Sequence, residues 1–301
     1  MTVDRHDARD CEMTRILREN SQRLLLLLPP LIVFSVLLIL PLANVVDQSF
    51  RVFEGGNIGA AADAQLTLLN YSELIKPTYL FYFIQTFRIG FVGSVLAVAL
   101  AFPIAYLIAR MRSQFWRGIA SGALIALISV STLVRVYALL LAFGPVGYGN
   151  QLSAILGLGQ NSAAYTEMVV LAGLVYFHTP ISALVLIGTI QGLNPQLIEA
   201  AQSLGAPRWK SHLSITIPLC LPGISAAFLI SFTVCVSAFV IPMILGKGKV
   251  LFVSNLIYNR FSEVANYPSG SAISVVLLSI TLFFVVVVPW LLTRVTAESP
   301  G

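Results

Sequence analysis

Six apolar runs, each of a length that crosses a bilayer, constrain this chain more than any other feature. A spanning helix needs about 20 predominantly apolar residues. The runs fall at roughly Leu24–Val46, Leu80–Ala109, Phe115–Phe143, Tyr165–Ile187, Leu219–Leu245 and Ser269–Leu292. The expected fold class is therefore an all-α polytopic membrane protein with six transmembrane helices. Composition points the same way: 57% of the 301 residues are hydrophobic and 10% are charged. A soluble domain carries about 25% charged residues, so this chain lacks the polar surface to face water alone. Lipid is its expected surrounding.

The segments between the runs set the topology. Residues 1–23 read as a charged cytoplasmic tail, with Arg5, Arg9, Arg15, Arg18 and Arg23 set against five acids. The apolar run behind them is too long for a signal-peptide core and lacks a small-x-small cleavage site, so it reads as a retained first span. With the N-terminus inside, the inner segments hold those five arginines, Arg110, Arg112, Arg117, Arg208, Lys210 and Arg294. The outer loops hold only Arg51, Lys76, Lys247, Lys249 and Arg260. Eleven against five puts both termini in the cytoplasm. Basic residues scattered over loop ends in this way argue for topology and against a nucleic-acid partner. Cys11, Cys220 and Cys235 make no disulfide framework. One membrane domain over residues 24–294 and a short tail over 295–301 account for the rest. Small residues within the runs (Gly90, Gly93 and Ser94; Gly118 and Gly122; Ser225, Ser231 and Ser237) mark places where helix backbones pack closely.

Between the fourth and fifth runs lies a polar island, Asn194 to Pro222. Asn194 followed by Pro195 reads as an N-cap with proline in the first helical position. Gln196 to Leu204 are good helix formers, and Gly205 stands where a left-handed residue ends a helix. Ala206-Pro207 opens a second helix that begins with Arg208, Trp209 and Lys210. The spacing is Glu199-Ala200-Ala201, three residues, Gly205, nine residues, Ile215, one residue, then Ile217-Pro218. This resembles the EAA loop of ABC-transporter inner-membrane permeases, with Ile217 where that pattern usually has leucine. The resemblance implies a type I importer-like permease in a bacterial inner membrane. It also implies ABC ATPase subunits, a second permease subunit (a copy or a paralogue) and a periplasmic solute-binding protein as partners. The hairpin at residues 194–216 would then fit a groove of the ATPase. Glu199 would meet polar or basic groups there, Ala200 and Ala201 would keep the first helix slim, and Gly205 would turn the backbone. Ile215 belongs to the same motif, and Pro218 would stiffen the exit toward the fifth span.

Within that family the layout is similar to the spermidine/putrescine permeases. The resemblance rests on Pro41-Leu42-Ala43 and Ser49-Phe50 around the end of the first span, Leu133-Val134-Arg135-Val136-Tyr137 in the third, and Asn266-Tyr267-Pro268-Ser269-Gly270 before the last. A polyamine is the cargo this implies, with another small organic solute or ferric ion as alternatives.

The chain has no visible engine. Gly248-Lys249 is followed by Val250, and Met243 stands where a phosphate loop would need its first glycine. HExxH, CxxC and GxSxG are absent, so no catalytic residue, metal site or cofactor is expected in this chain. ATP and magnesium would be bound by the partner ATPase. A secondary transporter driven by an ion gradient would want paired intramembrane acids or an inverted repeat, and neither is visible.

Three polar residues in the runs are candidates for the translocation path: Arg135, its neighbour Tyr137, and His178 in Tyr176-Phe177-His178-Thr179-Pro180. Arg135 falls two-thirds along the third run, where it would line a cavity or snorkel to an interface. His178 would be a proton relay or a polar group satisfied beside the Pro180 kink. Arg88 is expected to snorkel at the outer end of the second run. Glu167 is expected to be a solvated carboxylate at the start of the fourth. Pro103, Pro180 and Pro242 each free a backbone carbonyl inside a run.

Overall fold

With no water in hydrocarbon to satisfy its amides, an apolar run of this kind must pair them internally, and each run forms helix. The computed structural model describes residues 28–54, 59–60, 64–144, 147–159 and 162–297. The expected tail at residues 1–23, the first residues of the first run and residues 298–301 lie outside them. In chain order the helices are α1 (Leu28–Ser49), α2 (Leu69–Leu74), α3 (Pro77–Ala109), α4 (Gln114–Ser129), α5 (Thr132–Phe143), α6 (Gly149–Ile155) and α7 (Ala163–Gln191). There follow α8 (Gln196–Ser203), α9 (Arg208–Ser211), α10 (Ile217–Val236), α11 (Val240–Leu245), α12 (Val253–Tyr258) and α13 (Tyr267–Ala297). Two π turns, His212–Thr216 and Asn259–Glu263, complete the order. The one β contact among the described residues is an isolated antiparallel bridge between Arg51 and Leu66.

Five helices are long and apolar enough to cross a membrane, and there are six if α4 and α5, which pass the same test together, form one broken span. The expected single third span is thus corrected. α4 and α5 meet at 88°, because Val130 and Ser131 adopt extended backbone between them. Serines compete with helical hydrogen bonding, and Ser129 Oγ already donates back to the Ile125 carbonyl at 3.0 Å. The expected fifth span is likewise two pieces, with α10 ending at Val236 and α11 restarting at Val240. Pro242 gives the reason: it cannot donate to the carbonyl of Ala238, and its ring crowds that carbonyl. Ser254 Oγ takes the freed oxygen at 2.6 Å, while Asn255 Nδ2 reaches the carbonyl of Phe239 at 3.4 Å. By contrast, α3 and α7 stay continuous through Pro103 and Pro180. The last helix runs past the expected boundary at 294 to Ala297.

The centre is built from α3, α7 and α10, which share the most extensive interfaces. Small residues make the approach possible. A Cβ on Gly90 would lie 2.9 Å from Val236 Cγ2, and one on Gly223 would lie 2.6 Å from Thr189 Cβ. Ser182 and Ser231 share a buried hydrogen bond of 2.7 Å between α7 and α10. Leu174, Leu186 and Phe232 fill the space around these contacts. Gly118 and Gly122 do not belong to this set. Nothing lies within 4 Å of a Cβ on either, so within this chain they pack against no neighbour.

Loops are tied to the centre by side chains on α3. Gln85 Oε1 accepts from the Leu251 amide and Thr86 Oγ1 from the Val253 amide, each at 2.9 Å. Arg88 and Glu167 are neither snorkelled nor simply solvated. They form an ion pair between α3 and α7 with an N–O distance of 2.6 Å. α1 stands apart: none of its apolar window is buried within this chain.

Candidate functional site

Two places gather the residues singled out by sequence. The first is the island between α7 and α10, which folds as a helical hairpin. Asn194 Oδ1 accepts from the Gln196 amide at 3.0 Å, and α8 follows with Pro195 as its helical N-cap. The start is displaced by one residue from the Asn194 cap expected, within ordinary boundary variation. At the other end, the Gly205 amide donates to Gln202 O at 2.9 Å and the Ala206 amide to Ala201 O at 3.1 Å. These two bonds form a Schellman stop. It requires a left-handed residue, and Gly205 has φ +88°.

The hairpin's second arm is mechanically continuous with the membrane. α9, the π turn at His212–Thr216 and α10 follow one another without a break. The wider winding comes just before Pro218, which cannot donate to the carbonyl of Ser214. Ile198 is the buried residue of α8, while Glu199 and Ala200 face outward. Glu199 has no ion pair among the described residues. Between the arms lies an open cavity of about 410 Å³, lined by Ala201, Leu204, Gly205, Lys210 and Ile215 among others. Ala201, Gly205 and Ile215 are thus brought together, Glu199 and Ala200 lie on the outer face, and Pro218 sits exposed at the start of α10.

Sequence reading missed two features here. Leu204 is 89% exposed at the tip, an apolar knob that hydropathy around it did not single out. Arg110, at the end of α3, donates from Nη2 to the Leu193 carbonyl at 3.3 Å and so holds the root of the hairpin.

The second place lies where both broken helices meet α7. A cavity of about 340 Å³ is lined by Thr132, Arg135, Phe177, His178, Ser237 and Phe239, among others. The break before Thr132 moves Arg135 from two-thirds along an expected unbroken span to the first turn of a separate helix. There it is only 9% exposed. Its guanidinium carbon sits 4.0 Å from the centre of the Phe177 ring, and its Nε has no hydrogen-bond partner. An arginine in mid-membrane costs roughly 2.5–3.5 kcal/mol, and a cation–π contact returns about 0.5–2 kcal/mol. His178, 3% exposed, is satisfied on one side: its Nδ1 lies 2.6 Å from the Leu174 carbonyl, which can only accept. Tyr137 is not part of this cavity. Two residues beyond Arg135 it points elsewhere and is 53% exposed.

A bent six-span bundle that carries such a hairpin between its fourth and fifth crossings invites comparison with known proteins. Residues 101–297 match the family described as binding-protein-dependent transport system inner membrane component. This chain belongs to that family. The permease is 28% identical over 262 residues to the spermidine/putrescine transport system permease protein PotB of Haemophilus influenzae, covering 84% of this chain and 90% of that one. It is also 28% identical over 230 residues to PotB of Escherichia coli, covering 76% of this chain and 83% of the relative. Its fold matches a crystal structure of a bacterial ABC transporter that imports the acidic polysaccharide alginate, with a TM-score of 0.72, 16% identity, and coverage of 95% of this chain and 99% of that one. The permease therefore has the all-helical importer fold, and it is the membrane subunit of an ABC importer.

Proposed function

We propose that this permease forms one half of the translocation path of an ATP-driven importer and is coupled to a separate ATPase through residues 194–216. The observation that carries the reading is the hairpin itself. Its first arm presents an exposed Leu204 at the tip and a Glu199 with no ion pair among the described residues. Its Schellman turn at Gly205 joins that arm to a second one continuous with α10. Closure of an ATPase pair on ATP and magnesium would push this arm. The π turn and α10 would carry the displacement to the broken helices around Arg135. Glu199 offers its carboxylate to basic groups of the ATPase, and Leu204 enters an apolar recess.

The other expected partners are a second permease subunit, facing this one across the path, and a periplasmic binding protein that delivers the cargo. The distribution of basic residues supports a topology with both termini in the cytoplasm. The names of the relatives make amine-bearing solutes of the spermidine/putrescine kind the first cargo class to test.

The test is co-purification. A tagged permease should bring down its ATPase, and deletion of residues 194–210 should release it while membrane insertion persists. ATP-independent uptake by vesicles holding this polypeptide alone would overturn the proposal and favour an ion-driven carrier.

A further inference from the structure

The cargo must also pass Arg135, and the surroundings of that residue narrow what the cargo is. We propose that the cavity between α5, α7 and the α10–α11 break is an anion-binding stage of the path, where Arg135 receives a carboxylate carried by the cargo. This rests on the importer reading above and goes beyond it in assigning the site and the charge of its ligand.

Three observations converge. Arg135 is nine-tenths buried, lines the cavity and keeps Nε without a partner. The cavity contains no aspartate or glutamate among its lining residues, so the arginine's charge is not neutralised there. Phe177 accounts for one face of the guanidinium, whereas a carboxylate is gripped at the edge of such a group, through paired hydrogen bonds. The second observation concerns the backbone. The cavity wall includes Thr132, the first residue of α5, and the preceding Ser131 makes no side-chain cap. The free amides of a twelve-residue helix therefore begin at this wall. Broken helices that start at a membrane cavity place their positive ends where anionic groups bind. Third, the space of about 340 Å³ is adequate for a small organic solute.

A solute bearing only amines meets like charge here. A solute bearing a carboxylate, with or without an amine, meets a complementary one. The hydroxyl of Ser237 does not alter this balance, since it donates to carbonyls of its own helix.

The experiment uses the assembled permease–ATPase complex in nanodiscs and three four-carbon probes of equal length. Putrescine has an amine at each end, 4-aminobutyrate has one amine and one carboxylate, and succinate has two carboxylates. Binding is read as the concentration-dependent rise in thermal midpoint at matched ionic strength. The expected ranking on the wild-type complex is succinate or 4-aminobutyrate ahead of putrescine by at least tenfold in apparent affinity. Arg135→Gln should remove that preference, and Arg135→Lys should keep part of it. Putrescine binding as well as the carboxylates would overturn the proposal, and this ranking needs no variant. No response of the wild-type complex to any probe, with Arg135→Gln blocking assembly of the two permease halves, would also overturn it and assign Arg135 to a subunit contact. ATPase activity of the same preparation, and its loss on deleting the hairpin, tests the importer reading separately.

Discussion

Arg88 Nη2 stands 2.6 Å from each carboxylate oxygen of Glu167, so one residue on α3 grips one on α7, 79 positions further along the chain. The helices joined are the two with the largest shared interface. Both side chains remain partly exposed, at 57% and 36%, and exposed pairs of this kind contribute about 0.2–1 kcal/mol. Glu167→Gln should therefore lower the thermal midpoint of the purified permease slightly. The exchange Arg88→Glu with Glu167→Arg should recover most of the loss. A double variant no more stable than the single one would show that the pair contributes nothing.

Gly223 faces Thr189 where α10 crosses α7. Thr189 Cβ is anchored to the backbone and cannot swing away from a new methyl group placed 2.6 Å from it. Overpacking of this kind costs about 1–3 kcal/mol, so Gly223→Ala should reduce stability by that amount. Adding Thr189→Gly should relieve it. Thermal unfolding in detergent, followed by loss of monodisperse protein, reads both.

The hairpin turn gives a graded test. Gly205 has φ +88° and open space around it, so a side chain there suffers from the backbone and not from a clash within this chain. The left-handed region costs about 1–2 kcal/mol for most residues, while asparagine tolerates it. Gly205→Asn should keep more ATP-dependent uptake than Gly205→Ala. Gly205→Asp should uncouple transport or lose the ATPase, with membrane insertion preserved. Uptake by Gly205→Asp at the wild-type rate with a stably bound ATPase would refute the coupling role.

Ser254 takes the carbonyl of Ala238, which Pro242 leaves without a helical donor. Ser254→Ala removes that donor from a partly buried carbonyl. A fully buried one left unsatisfied costs about 1–3 kcal/mol, so the loss should fall at or below the lower end of that range. The break between α10 and α11 should loosen locally. Hydrogen exchange should rise at residues 237–240 before it rises elsewhere in α10. Unchanged protection there would mean that the break is held by other contacts.

Much of the candidate site was legible because it is local. Asn194, Pro195 and Gly205 act on backbone within a few residues of themselves, so their spacing announced a hairpin with a glycine stop. Arg135 and His178 stood out for a different reason: a polar group in an apolar run is conspicuous anywhere. Their common cavity was not legible. It depends on the 88° turn between α4 and α5 and on the placement of Phe177 from another helix. Tyr137 shows the limit most plainly, since it is adjacent in sequence to the cavity residues yet lies on another face of α5.

The sequence by itself determined that this chain is helical, spans the membrane and carries a hairpin between its fourth and fifth crossings. Apolar length, helix caps and a left-handed glycine act over a few residues and need no partner. Only the tertiary structure decided where the spans break, which small residues are truly packed, and which charges meet. Those outcomes depend on what a distant helix places opposite each residue: Thr189 against Gly223, Glu167 beside Arg88, and Ser254 on the carbonyl that Pro242 sets free.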